Sequence, residues 1–394
     1  MSVRVSKLNS LQTLFIFLRY KMKKIRNLNF ILILTSFLLI LLGALILAST
    51  SAVFSMERFK DPNYLLRHQL LFGLLPGLFL GLAGFFTPLE KIKKVSLWLF
   101  LFSILTLCLL FVSETGLKLF NASRWINLGV IAFQPSEFLK ITLILYLGAW
   151  LTKQDFSGKD YLKTNIFSKL KPFGAFLIII GVISILLVLQ PNVGTLVIVV
   201  LIGCAMFFAV GTPVWQNFLI WFSGLAALGI LIKLAPYRMN RWLVFINPNL
   251  DPMGIGYQLK QSLISIGSGG IFGLGLGMSR QKFNFLPATI GDAIFPIFAE
   301  ETGFLGAILL ISIIFIFIWQ GFKIAKLSKD RFSQIVAVGI CVWIGLQSLI
   351  NIGSMIGIFP LTGIPLPFIS YGGSHLASEL AALGILLNIS RQAT

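Results

Sequence analysis

Asp292 sits where a long polar stretch gives way to an apolar run, with no lysine or arginine adjacent to it. A lone carboxylate at such a boundary can take a proton from a substrate, and an ionisable group at the edge of an apolar span is a functional candidate by default. It can equally cap the helix that follows, by accepting backbone N–H bonds. Upstream, Tyr237-Arg238-Met239-Asn240-Arg241-Trp242 places two arginines beside a tryptophan. Guanidinium grips phosphate oxygens bidentately, so this stretch suits a phosphate or diphosphate headgroup, or anionic lipid in general. Further upstream, Ser136 reads as an N-cap, and Glu137 and Lys140 share one face of the helix it opens. That pair is either a structural clamp or part of a polar cavity.

The elements that must hold these residues are membrane spans. The chain has 394 residues, of which 57% are hydrophobic and only 11% charged, and its mean hydropathy is +0.92. A soluble chain carries roughly a quarter charged residues. The bilayer is therefore the solvent, which excludes a soluble enzyme, a disordered chain, a coiled coil and a disulfide scaffold. Cys108, Cys204 and Cys341 lie inside apolar runs without CxxC spacing or a nearby histidine, and read as packing. A span needs about 20 apolar residues. Ten stretches qualify: 29–54, 69–87, 95–113, 137–152, 172–190, 193–211, 216–234, 294–320, 334–356 and 374–390. Helices must carry them, because alternating barrel strands are absent.

Lysine and arginine set the orientation. With the N-terminus inside, inside segments hold 20 of these residues and outside segments 10, which places both termini in the cytoplasm. The net charge of +19 is then mostly a topology signal beside anionic membrane lipids, and no nucleic-acid partner is expected. The first apolar run is too long for a cleavable signal peptide and lacks a small-residue cleavage site. Residues 1–28 form a cytoplasmic basic segment in which Tyr20–Arg26 lies on the inner face and Leu11–Leu18 docks at the interface. Residues 29–391 form one transmembrane domain.

Polar residues gather on the outer face, in Glu114–Ser136, Ala235–Gly291 and Gly357–Gly373. The loop over 235–291 exceeds the roughly 15 residues beyond which loops are usually functional. Its six glycines between Gly267 and Gly277 fit neither GxGxxG nor GxxxxGK[ST], and are expected to allow close backbone approach. The third segment interleaves Pro360, Pro365 and Pro367 with apolar residues and cannot be regular helix. It is either a buried re-entrant connector or a cavity wall.

The stretches SRWINLG, QPSEFLK, QPNVGT (Gln190–Thr195), NRW, SRQKFNFLP, GDAIF, AEETGFLG and PLTGIPLPFISYGGS together resemble the SEDS family, whose members FtsW and RodA serve division and elongation. The likeness runs from about Leu32 to Arg391. Ser279–Phe283 and Gly384–Arg391 look more like the FtsW branch than RodA. The resemblance implies an all-α fold of ten transmembrane helices with a large extracytoplasmic loop between the seventh and eighth. It implies lipid II polymerisation in the bacterial cytoplasmic membrane, at the division septum, beside a class B penicillin-binding protein and other divisome membrane proteins. The family pattern PExHTDFIF reads Pro287-Ala288-Thr289-Ile290-Gly291-Asp292-Ala293-Ile294-Phe295 here. Asp292 carries over, while Ala288, Ile290, Gly291 and Ala293 depart from the pattern. QPDLGT becomes QPNVGT, so Asn192 replaces a carboxylate.

On that resemblance, Asp292 is the general base that takes the proton from the acceptor GlcNAc 4-hydroxyl as it attacks the donor's anomeric carbon, with inversion. Positioned bases of this kind are worth roughly 10²–10⁴ in rate. Arg238, Arg241, Arg280, Lys282 and Arg124 are the expected counter-charges for the departing diphosphate, with a divalent cation (Mg2+ or Mn2+) as an optional helper. Glu137 and Lys140 complete the substrate-binding candidates. Two rival readings remain: a lipid II flippase or similar carrier using Glu137, Lys140, Glu300 and Glu301, and a non-catalytic scaffold for the penicillin-binding protein.

Overall fold

The computed structural model describes residues 29–112, 116–119, 122–127, 132–154, 166–251, 253–283 and 285–393. The basic N-terminal segment, including Leu11–Leu18 and Tyr20–Arg26, lies outside them. Helix α1 spans Phe30–Phe59 and α2 spans Tyr64–Phe86, with a π-helical turn at Leu70–Leu74. Helix α3 is Leu89–Val112. Strands β1 (Gly116–Leu119), β2 (Ala122–Asn127) and β3 (Ala132–Phe133) then form an antiparallel meander. Four helices follow: α4 (Pro135–Leu151), α5 (Ile166–Leu189), α6 (Val193–Ala209) and α7 (Val214–Leu234). Two shorter ones, α8 (Pro236–Ile246) and α9 (Ile255–Ser268), occupy the long loop. The chain closes with α10 (Ile294–Leu327), α11 (Arg331–Met355) and α12 (Gly373–Ala393).

Among the described residues, seven helices are long and apolar enough to cross a membrane: α1, α2, α3, α5, α7, α10 and α11. The expected spans 137–152, 193–211 and 374–390 coincide with α4, α6 and α12, which are shorter or more polar. Helices α4 and α6 have 17 residues each, and α4 is buried along nearly its whole length. Helix α12 carries His375, Glu379, Asn388 and Arg391. A helix enclosed by other helices can hold polar groups that lipid would not tolerate.

The all-α expectation needs one correction. The segment after α3 is a small sheet, in which Leu117 pairs with Trp125 and Ile126 with Phe133. Aromatic and β-branched residues favour that pairing. The loop between α7 and α10 likewise has structure of its own rather than being open chain.

Close packing follows glycine. On α2, Gly77, Gly81 and Gly84 face α12, and a Cβ on Gly384 would run into the Gly81 backbone. Without water to expel, such backbone-to-backbone approach supplies the van der Waals contact that joins helices in lipid. Helix α10 breaks at Gly303, whose φ of 69° and ψ of −168° are non-helical. The glycine-rich return loop fills the break: Leu274 N–H donates to the Glu300 carbonyl at 3.0 Å and Phe304 N–H to the Gly270 carbonyl at 2.9 Å. The expected close backbone approach is thus found, against a helix.

Candidate active site

Asp292 sits in a tight turn just before α10. Gly291 and Ala293 both donate backbone N–H groups to the Ala288 carbonyl, at 3.0 and 3.2 Å. Helix α10 starts at Ile294 with no side-chain cap, so the capping role considered for Asp292 is not the one the structure gives it. The turn is clamped from outside by the proline-rich segment. Ser370 donates its hydroxyl to the Gly291 carbonyl at 2.6 Å, and Tyr371 N–H donates to the Ile290 carbonyl at 2.9 Å. From α11, the Asn351 amide donates to the Asp292 carbonyl at 2.8 Å and to the Ile364 carbonyl at 2.7 Å. Half-buried, the Asp292 carboxyl is left free of a cap and faces a cavity of about 650 Å³. Burial pushes its pKa above the ordinary carboxylate value, and the nearby Arg241 charge, the Gln258 amide and backbone N–H groups oppose that push.

Three guanidinium groups line the same cavity: Arg124 from β2, and Arg238 and Arg241 from α8. Three residues apart, Arg238 and Arg241 share a helical face. Arg241 donates to the Leu361 carbonyl at 3.0 Å, and Arg238 to the Leu231 carbonyl at 3.0 Å and the Tyr237 hydroxyl at 2.8 Å. Arg124 donates to the carbonyls of Gln190 and Pro191. Burial, with Arg241 close by, lowers the Arg124 pKa, while Tyr237 counters it. Each guanidinium has five N–H donors, so these tethers orient the groups without exhausting them. The result is a cationic pole beside one carboxylate. Tyr371 also lines the cavity; its hydroxyl contacts His68 Nδ1 at 2.9 Å, and burial pushes its pKa up to about 12.

Glu137 and Lys140, both buried, also line the cavity. Ser136 is not the N-cap; Gln134 holds that position with Pro135 in the first turn, a residue whose fixed φ suits a helix start. Ser136 instead accepts from the Asn192 amide at 3.2 Å, tying α4 to the start of α6. Lys140 Nζ is 2.8 Å from Glu137 Oε2, donates to Gln347 at 2.9 Å and lies 4.9 Å from the Trp343 ring centre. His375 and Glu379, not singled out from sequence, complete this cluster, and Tyr237 is a further cavity residue whose role the spacing did not suggest. The available signal was the polar face Ser374, His375, Ser378, Glu379 in the first turns of the last helix.

Two expected substrate contacts fall elsewhere. Arg280 and Lys282 are not among the cavity's lining residues. Lys282 is buried, 3.3 Å from Glu301 Oε1, and the Arg280 main-chain N–H donates to Glu300 at 3.3 Å while its side chain is exposed. Glu300 also accepts from Ser265, Ser268 and Ser279, and Glu301 from Ser49. The reason is the break at Gly303: the return loop turns back onto α10 there, and these charges pin it. The polar clamp lies behind the cavity and not in it.

The cationic pole offers no cage for a divalent ion. Among the described residues no group of three or more His, Cys, Asp or Glu could hold a metal, and Asp292 is the carboxylate beside three arginines. Magnesium normally takes one or two carboxylates plus substrate phosphates.

Seven membrane-capable helices among the described residues, with a cavity that gathers three guanidinium groups, define a multi-pass membrane protein. More narrowly, the chain belongs to the FTSW_RODA_SPOVE family, described as cell cycle protein, whose model matches residues 29–394. It is 35% identical over 366 residues to the stage V sporulation protein E of Bacillus subtilis strain 168, covering 92% of this chain and 97% of that one. It is 37% identical over 356 residues to a probable peptidoglycan glycosyltransferase FtsW of Coxiella burnetii, with 89% and 93% covered. A solved chain from a peptidoglycan synthase complex that coordinates polymerization and crosslinking aligns with a TM-score of 0.73 at 26% identity, covering 93% of this chain and 98% of that chain.

Proposed function

We propose that this protein is a peptidoglycan glycosyltransferase that polymerises lipid II for septal wall synthesis. The observation that carries the reading is that Asp292 lines one cavity with Arg124, Arg238 and Arg241, with Arg241 close enough to act on its charge. The acceptor GlcNAc 4-hydroxyl attacks the donor's anomeric carbon, and Asp292 takes its proton as the new C–O bond forms. The bond to the diphosphate breaks on the opposite face, giving inversion. Diphosphate leaves without needing an acid, so one carboxylate suffices, unlike the paired carboxylates of glycosidases. Fixed guanidinium groups stabilise the charge growing on the leaving oxygen. The apolar wall of Leu228, Leu231, Ile232, Leu346 and Leu349 suits the polyprenyl chain. A divalent cation, where used, would be held by the diphosphate together with Asp292 rather than by a cluster of protein carboxylates.

The ten helices α1–α7 and α10–α12 are read as spans, with both termini cytoplasmic and the 235–291 loop outside. That places Asp292 at the outer surface of the cytoplasmic membrane, where lipid II is presented. A class B penicillin-binding protein is the expected partner, supported by the resemblance to a chain of a polymerising and crosslinking complex. The carrier reading loses two of its four charges, because Glu300 and Glu301 are engaged by the return loop. The test is direct: purified protein, with and without its transpeptidase partner, is given lipid II and the glycan products are resolved by size. Strands form if the reading holds. Translocation of lipid II across vesicles without polymer would replace it by the carrier.

A further inference from the structure

Beneath the cationic pole, four ionisable side chains from two helices are sealed together. Glu137, Lys140, His375 and Glu379 are 3%, 1%, 3% and 0% exposed. His375 Nδ1 lies 2.8 Å from Glu137 Oε2, and its Nε2 lies 3.1 Å from Glu379 Oε1. Only the Nδ1 contact is a hydrogen bond; Glu379 Oε1 has no hydrogen-bond partner among the described residues, and Nε2 also lies beside the Gln347 amide nitrogen. A neutral imidazole has one N–H and one lone pair, and a lone pair close to an ionised carboxylate is repulsive. A proton on His375 or on the Glu379 carboxyl relieves that repulsion and makes the cluster neutral, since Lys140 balances Glu137. Uncompensated charge at this burial would be costly.

The same residues hold the cavity floor in shape. Gln347 accepts from Lys140 at 2.9 Å and from the Trp343 indole at 2.7 Å, and donates to the Pro365 carbonyl at 3.1 Å; its amide nitrogen is 3.4 Å from His375 Nε2. Glu379 accepts the Phe368 N–H at 2.8 Å, and Phe368 has a left-handed φ of 62°. A non-glycine residue there is strained and persists only when its surroundings hold it. Glu137, Lys140 and His375 all line the cavity, whereas Glu379 stands behind them.

We propose that His375 and Glu379 are positioning residues that hold the Glu137–Lys140 pair in the wall of the substrate cavity. This rests on the polymerase reading of that cavity. The pair lines the cavity, while His375 and Glu379 act through it.

The experiment compares H375Q with the double variant H375Q/E379Q in the purified full chain, measuring kcat and KM for lipid II polymerisation and thermal unfolding in detergent. Glutamine can still donate to Glu137 but cannot carry a charge that offsets the nearby Glu379 carboxylate. H375Q alone should lose roughly 10- to 100-fold in kcat/KM, the scale of a small misplacement. The double variant, which removes the orphaned carboxylate, should recover most of that loss. Recovery of activity from a folded but impaired H375Q, or from one that fails to fold, supports the proposal. A wild-type H375Q, or a double variant no better than the single, overturns it. If the wild-type protein itself makes no polymer, the polymerase reading fails first, so the two failures are separable.

Discussion

The Asn351 side-chain amide donates to the main-chain carbonyl of Asp292 at 2.8 Å. The same amide donates to the Ile364 carbonyl, so one fully buried residue of α11 joins the turn carrying the carboxylate to the proline-rich segment facing it. Replacing Asn351 by leucine keeps the volume and removes both donors. Each buried carbonyl left unpaired costs about 1–3 kcal/mol. Asn351→Leu should therefore lower thermal stability and, because the Asp292 turn is released, lower kcat more than KM rises. Equal loss of stability in an Asn351→Leu chain with unchanged kcat would separate the tether from catalysis.

Asp292 should leave two signatures of its raised pKa. A base is lost when pH falls through its pKa, so the acid limb of kcat/KM should lie above the ordinary aspartate value of about 3.9. Stability has the opposite sign. A carboxyl whose folded pKa exceeds its unfolded one binds protons more tightly when folded, so it favours the native state below the unfolded pKa and loses that benefit as pH rises through the folded one. Asp292→Asn should thus be more heat-stable than wild type at neutral pH, with the difference shrinking on acidification. Unfolding scans across pH check this.

Arg241 lies close enough to Asp292 to oppose its upward shift, and it lines the cavity. Arg241→Ala should move the acid limb to higher pH and weaken inhibition by undecaprenyl diphosphate. Arg241→Lys should recover the limb better than the inhibition, because lysine restores charge but not the planar fork. Identical behaviour of the two variants in both measurements would argue against diphosphate contact.

Lys282 and Glu301 form a buried pair with side chains 7% and 3% exposed. Removing one partner strands a charge, at a cost of roughly 3–5 kcal/mol, whereas removing both is far milder. Lys282→Met should therefore destabilise strongly, and Lys282→Met with Glu301→Gln should regain much of the loss. Residual folded protein should keep its KM for lipid II. A raised KM at normal stability would return Lys282 to the substrate site.

The fold was legible where apolar length is decisive. The helices at every expected span appear because lipid leaves few alternatives. Sheet formation at Ala122–Asn127 was not legible, since three short strands leave no periodic signal. At the candidate site, the sequence singled out Arg238, Arg241 and Asp292, and the fold brings all three to one cavity. Arg280 and Lys282, near Asp292 in sequence, are not among the residues lining that cavity, because the return loop packs onto the break in α10 at Gly303. His375 and Glu379 were invisible as partners of Glu137, 238 residues away in the case of His375. Only the packing of α12 against α4 brings them together.

The central claim is that Asp292 takes a proton and does not merely hold substrate. Purified Asp292→Asn, folded and given labelled lipid II, should bind it as tightly as wild type yet form no glycan strands at any pH. Strands of normal length from that variant would contradict the account.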